Sequence, residues 1–202
     1  MSRIECVFFD LGGVLYTLDY EAVWRGFSEC CGMPSEEVQS ALYSDGTLIE
    51  FETGKISSIQ FYEAIKRRLG FGAGFEEFKK IFNSILIKRD DMFGLVSDLR
   101  KYVNVLVLSN TNEINAEVLN VDLRDLDGDV VYSFEVGYIK PDQRIFRFAL
   151  EKKSLTPEKT IFIDDLEENV RAARLLGIHT HLYKDRDSLM RFFNDYGIID
   201  RL

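Results

Sequence analysis

The sequence predicts an α/β fold, a parallel sheet whose strands alternate with helices, carrying a block of helices inserted after the first strand. Three observations lead there. Five short apolar runs, Ile4–Asp10, Val103–Ser109, Val130–Phe134, Thr160–Asp164 and Ile178–Tyr183, are continuous rather than alternating, as in strands buried on both faces. Helical patterns separate the last four, and such alternation implies parallel pairing with right-handed crossovers. Between the first two runs, residues from about Tyr16 to about Tyr102 hold no convincing strand but several helix signals.

In chain order, Ile4–Phe9 ends in Asp10-Leu11-Gly12-Gly13-Val14. Asp19 then stands as a cap before a helix over Tyr20–Cys31, and Ser35 before one over Glu36–Tyr43. Gly46 and Gly54 flank Thr47–Thr53, as turns or as points of local movement. Ser57 and Gln60 have the spacing of a capping box ahead of Phe61–Leu69, and Phe75–Leu86 repeats the helical pattern. Asp90 or Asp91 opens a helix through Leu95 and Leu99, which reads as the sheet's own first crossover. A connection this long is not a loop. The expected division is therefore a core of residues 1–15 and 91–202 with a helical insertion over 16–90.

The second strand ends in Ser109-Asn110-Thr111-Asn112. Gly137-Tyr138-Ile139 reads as another strand-like run leading into Lys140-Pro141-Asp142, with Pro141 placed to open a helix carrying Ile145, Phe148 and Ala149 on one face. Thr160–Ile163 runs into Asp164-Asp165 and Asn169, and the helix through Val170, Ala173 and Leu176 stops at Gly177.

Composition narrows the class. The chain has 202 residues, 46% hydrophobic, enough for a sizeable core. A formal net charge of -9 disfavours nucleic acid and anionic membranes as partners. The one basic run, Lys66-Arg67-Arg68, ends a helix and complements its dipole. Cys6, Cys30 and Cys31 offer no disulfide framework or zinc spacing. No signal peptide or membrane-length apolar run is present, so a soluble, cytoplasmic monomer or homodimer is expected.

The polar clusters fall where apolar runs end, and open α/β sheets bind ligands at the carboxyl ends of their strands. Asp10 could attack phosphorus or ligate a cation, with Gly12 and Gly13 bringing backbone N–H groups close to an anion. Ser109, Asn110 and Thr111 could hold phosphate oxygens, although the same residues are ordinary helix caps. Lys140, at an expected helix N-terminus, opposes the dipole; neutralising phosphate and nucleophile together would explain it. Adjacent Asp164 and Asp165 repel one another, and a divalent cation relieves that. Mg²⁺ suits one or two carboxylates plus water and substrate phosphate. Singly, most of these clusters have an ordinary structural explanation; four in order at the proper sheet edge do not.

These residues resemble the haloacid dehalogenase (HAD) superfamily of phosphohydrolases, over nearly the whole chain. The resemblance implies a Rossmann-like sheet of strand order 5-4-1-2-3 with a mobile helical cap that sets specificity. It makes Asp10 the nucleophile, the Gly12 carbonyl a metal ligand, Ser109 and Asn110 phosphate holders and Lys140 the third motif's lysine. Asp164 and Asp165 correspond to the acidic pair, Asp165 as direct ligand and Asp164 through water or Lys140, with Asn169 supporting their loop. Gly12 departs from the pattern, because phosphatases of this superfamily usually have there a second aspartate that protonates the leaving group. The Asp-Leu-Gly-Gly-Val, Ser-Asn-Thr-Asn and Ile-Asp-Asp forms are similar to a branch that includes sugar-phosphate phosphatases such as α-D-glucose-1-phosphate phosphatase.

The expected function is a Mg²⁺-dependent phosphatase acting on a small phosphorylated metabolite through an aspartyl-phosphate. A 2-haloacid dehalogenase and a phosphate-binding protein without turnover are the alternatives. Candidate substrate contacts in the insertion are Tyr16, Tyr20, Trp24, Tyr43 and Phe51-Glu52-Thr53-Gly54-Lys55. Asp19 is one candidate for the missing acid.

Overall fold

The computed structural model describes residues 3–124 and 129–198. In chain order the strands are β1 (Cys6–Phe9), β2 (Tyr16–Leu18), β3 (Leu86–Lys88), β4 (Asn104–Ser109), β5 (Val130–Tyr132), β6 (Thr160–Asp164) and β7 (His179–Leu182). The helices are α1 (Tyr20–Cys31), α2 (Ser35–Tyr43), α3 (Thr47–Glu52), α4 (Ser58–Leu69), α5 (Phe75–Asn83), α6 (Asp90–Leu99), α7 (Glu113–Asp122), α8 (Ser133–Val136), α9 (Gln143–Lys152), α10 (Glu167–Arg174) and α11 (Arg186–Asp195).

The main sheet runs β5-β4-β1-β6-β7, all parallel, with Phe9 paired to both Val107 and Ile163. Counting only these five strands, the order is the expected 5-4-1-2-3 read from the other edge. The numbering differs because β2 and β3 form a separate antiparallel ribbon.

Strand residues alternate between two covering layers. Val7, Phe9, Val107 and Ile163 face Leu95 and Leu99 of α6 and Leu189 and Phe193 of α11. Cys6, Phe8, Leu106 and Phe162 face Ile145, Phe146 and Ala149 of α9 and Ala173 of α10. Helices α1–α5 enclose an aromatic cluster of their own, in which Phe51 stacks on Phe61 at 4.4 Å and Phe27 meets Phe78 at 5.2 Å.

The caps behave largely as the sequence predicts. Asp19 accepts from the Ala22 N–H at 3.0 Å, and Ser57 and Gln60 close a reciprocal box. Ser35, expected as a cap, is instead the first residue of α2, with Pro34 at the cap position. Four further expectations fail. The stretch expected to lack strands contains β2 and β3, three residues each; strands so short carry no readable pattern and form only by pairing across the insertion. Phe75–Leu86 splits into α5 and the start of β3. Gly137–Ile139 is not a strand: α8 ends at Gly137 in a left-handed conformation and irregular chain leads to Lys140. Pro141 does not open α9. Asp142 caps it by accepting from the Arg144 N–H at 2.9 Å, so Lys140 precedes the helix rather than opposing its dipole.

Candidate active site

The polar clusters converge at the carboxyl edge of β1, β4 and β6. The Asp10 N–H donates to the Ile163 carbonyl at 2.9 Å, fixing the residue between the two neighbouring strand ends. Its Oδ1 accepts from the Leu11 N–H and lies 2.7 Å from Lys140 Nζ. Among the described residues its Oδ2 has no partner, so one oxygen is held and the other is free.

Lys140 bridges two acids, with Nζ also 2.7 Å from Asp164 Oδ2. It is 3% exposed. Burial pulls the ammonium pKa down, but Asp10 and Asp164 outweigh that and hold it above its usual value. Asn110 fixes the lysine's backbone, accepting from its N–H at 2.7 Å and donating to its carbonyl at 2.9 Å.

The two halves of the acidic pair differ. Asp164 is fully buried and saturated: it accepts from Lys140, from the Leu166 N–H at 2.8 Å and from Asn169 Nδ2 at 3.0 and 3.1 Å. The Asp165 side chain has no hydrogen-bond donor among the described residues and lies over Gly13. That contact needs a glycine twice over: φ is +73°, and a Cβ there would fall 2.1 Å from Asp165 Oδ2.

Oxygens of Asp10, Asp164 and Asp165 can lie within 4.8 Å of one another. Three carboxylates facing one ammonium leave two negative charges uncompensated. Burial pushes the Asp10 carboxyl up, Lys140 opposes this and Asp164 adds to it. Burial also raises Asp165, and Asp164 raises it further. An all-oxygen donor set short of two positive charges fits a hard divalent cation.

Above the cluster lies a cavity of about 370 Å³, walled by the sheet edge on one side and by the insertion on the other.

A family model for haloacid dehalogenase-like hydrolases matches residues 4–177. The chain belongs to this family. It is 27% identical over 191 residues to the D-ribitol-5-phosphate phosphatase of Bacteroides thetaiotaomicron, covering 88% of this chain and 90% of that one. It is 25% identical to the phosphorylated carbohydrates phosphatase of Thermotoga maritima, covering 87% and 82%. Among solved structures, it resembles a HAD family enzyme of B. thetaiotaomicron in complex with magnesium and inorganic phosphate. The TM-score is 0.82 and the identity 29%, over 93% of this chain and 100% of that one.

In this HAD-like hydrolase, Asp10, Gly12, Ser109, Asn110, Lys140 and Asp165 line the cavity. Gly13 and Asp164 stand behind its wall, one under Asp165 and the other under Lys140. Of the contacts expected from the insertion, Tyr20, Trp24, Tyr43 and Glu52 line it. Tyr16 does not: it is buried, with its hydroxyl donating to Asp122 at 2.6 Å. Phe51 belongs to the insertion's aromatic core, and Gly54 packs against the Phe134 carbonyl. Asp19 is occupied as a helix cap.

One residue escapes sequence reasoning altogether. Ser133, fully buried after β5, accepts from the Thr111 N–H at 2.9 Å and donates to the Glu52 carbonyl at 2.6 Å. It ties the insertion to the loop after β4. A lone serine after a three-residue strand gives no signal of this.

Proposed function

We propose that this protein is a Mg²⁺-dependent phosphatase of a small phosphorylated sugar or polyol, working through an aspartyl-phosphate on Asp10. The observation that carries the reading is Lys140 clamped between Asp10 and Asp164, with Asp165 free beside them at the sheet edge. The phosphatase relatives and the magnesium and phosphate complex of the similar structure support it. A carbon-attacking dehalogenase has no need of a divalent cation, and this cluster is short of two positive charges.

Mg²⁺ would be held by Asp10, the Gly12 carbonyl and Asp165, with Asp164 and Asn169 ordering the loop, and when bound it supplies positive charge to the phosphate and to Asp10. Asp10 Oδ2 attacks phosphorus while Lys140 and Leu11 hold Oδ1, so the nucleophile's direction is set before substrate arrives. Ser109 and Asn110, at the end of β4, face the transferred phosphoryl group, with Gly12 beneath it. Residues 16–90 serve as the cap over the leaving group, which excludes water from the acyl phosphate. The cavity, about 370 Å³, suits a small phosphorylated metabolite. Among its walls Trp24 Nε1 is buried with no acceptor among the described residues, a donor suited to a substrate hydroxyl. Three free thiols accord with a cytoplasmic location.

The test is a phosphate-ester panel assayed with and without Mg²⁺. Wild type releases phosphate only with metal, and Asp10→Asn loses at least about 10³-fold in kcat while keeping the wild-type fold. Near-normal turnover by Asp10→Asn sinks the mechanism.

A further inference from the structure

Gly12 leaves the site without its usual source of a proton for the leaving group. A Cβ at Gly12 would meet the tip of Leu18 from β2, Cδ1 at 2.9 Å, so Leu18 stands where a side chain would point. Six titratable residues line the cavity: Asp10, Tyr20, Tyr43, Glu52, Lys140 and Asp165. Asp10 and Lys140 hold each other, and Asp165 belongs to the acidic cluster. The two tyrosines are poor proton donors near neutrality, because burial raises both, Tyr43 to about 12. Glu52 remains.

We propose that Glu52 is the general acid and base of this site, supplied by the insertion in place of the carboxylate that Gly12 lacks. The inference rests on the phosphatase reading above. Glu52 ends α3 and lines the cavity from the insertion, whereas Asp10, Ser109, Asn110 and Lys140 line it from the sheet edge. Among the described residues no cation or hydrogen-bond donor engages its carboxyl. Its backbone, by contrast, is anchored. Ser133 bonds its carbonyl, and Gly54, two residues on, packs so tightly under Phe134 that a Cβ would lie 2.1 Å from that carbonyl oxygen. The segment is thus fixed to the core beside Thr111 while the side chain is left to the cavity. Burial with no countercharge pushes the Glu52 carboxyl up to about 7, where a carboxyl can both give and take a proton near neutral pH.

The steps balance. Asp10 Oδ2 bonds phosphorus as the phosphorus–alkoxy bond breaks, and the Glu52 proton passes to the departing oxygen, releasing the alcohol. The resulting carboxylate takes a proton from water as that water attacks phosphorus. The bond to Asp10 then breaks, freeing phosphate and restoring both acids.

The experiment compares Mg²⁺-loaded wild type, Glu52→Gln and Glu52→Asp on p-nitrophenyl phosphate and on three alkyl esters, D-ribitol 5-phosphate, glycerol 3-phosphate and glucose 6-phosphate. A p-nitrophenolate group departs without protonation; an alkoxide does not. Glu52→Gln should lose about 10²–10³-fold in kcat on the best alkyl ester. It should keep the first-turnover burst of p-nitrophenolate within about tenfold of wild type and then turn over slowly, because its acyl phosphate lacks a base. Glu52→Asp should recover part of the alkyl activity. A Glu52→Gln variant that slows the first turnover of both ester classes equally, or of neither, overturns the inference and leaves the phosphatase reading standing. Wild-type silence on every ester overturns both.

Discussion

The two walls of the cavity are built on opposite plans. On the sheet side the groups that set the geometry are paired: Lys140 has two carboxylates, Asp164 three donors and Asn110 the lysine's backbone, while Asp10 Oδ2, the Asp165 carboxyl and Asn169 Oδ1 are left without partners among the described residues. On the insertion side Trp24 Nε1 has none, and no donor reaches the Glu52 carboxyl among the described residues. A saturated network fixes geometry before substrate arrives. Unpartnered groups await a ligand. The first wall suits a group common to all substrates, the phosphoryl; the second suits what varies, the alcohol.

The comparison breaks most visibly at Lys140. Lys140→Met leaves Asp10 and Asp164 buried and uncompensated, a loss of about 3–5 kcal/mol, or about 6–20 °C in Tm for a domain of this size. Activity should vanish, and added Mg²⁺ should recover part of the melting temperature but no turnover. An unchanged Tm would mean that the sheet-side network is not what holds these acids.

Gly13 gives a smaller effect with an internal control. Gly13→Ala demands a left-handed alanine whose Cβ overlaps Asp165, about 1–3 kcal/mol of strain, and Mg²⁺ titration should show weakened binding. Gly12→Ala meets only the flexible tip of Leu18 and should cost less in both stability and metal affinity. The reverse order would detach Gly13 from the metal site. The mildest change is Trp24→Phe, which keeps the ring and removes Nε1. KM for a hydroxyl-rich phosphate ester should rise about fivefold, the equivalent of one hydrogen bond, with p-nitrophenyl phosphate unaffected. Equal shifts for both esters would make Trp24 a packing residue.

The same asymmetry governs what could be read in advance. The sheet side is local: Asp10, Ser109 and Asp164 each end or directly follow an apolar run, so position in the sequence gives position in the sheet. The insertion side is tertiary. Tyr16 and Tyr20 look alike as aromatics near the first strand, yet one is buried against Asp122 and the other lines the cavity. Helix α3, six residues long and starting from a left-handed glycine, has no pattern to detect, so the sequence offers Glu52 only as one of five neighbouring candidates and the placed helix singles it out. Lys140 lines the cavity, but the dipole argument for it fails: it precedes α9 instead of opposing its dipole, and it is the two carboxylates that account for its burial.

The β2–β3 ribbon has a consequence for what this core can carry. Tyr16 pairs with Lys88 and Leu18 with Leu86, while the Asp19 N–H bonds the Ile85 carbonyl and the Arg89 N–H bonds that of Leu15. The chain therefore leaves the sheet and returns to it through two strands zipped side by side. Seen from the sheet, everything between is a loop whose ends already touch, so its length adds little to the entropy of closing it. A helical block of another size or sequence could be threaded onto the same ribbon without disturbing the sheet-side network, provided that it brings its own proton donor. The phosphate-handling half of the molecule is in that sense a socket, and the substrate wall an exchangeable fitting.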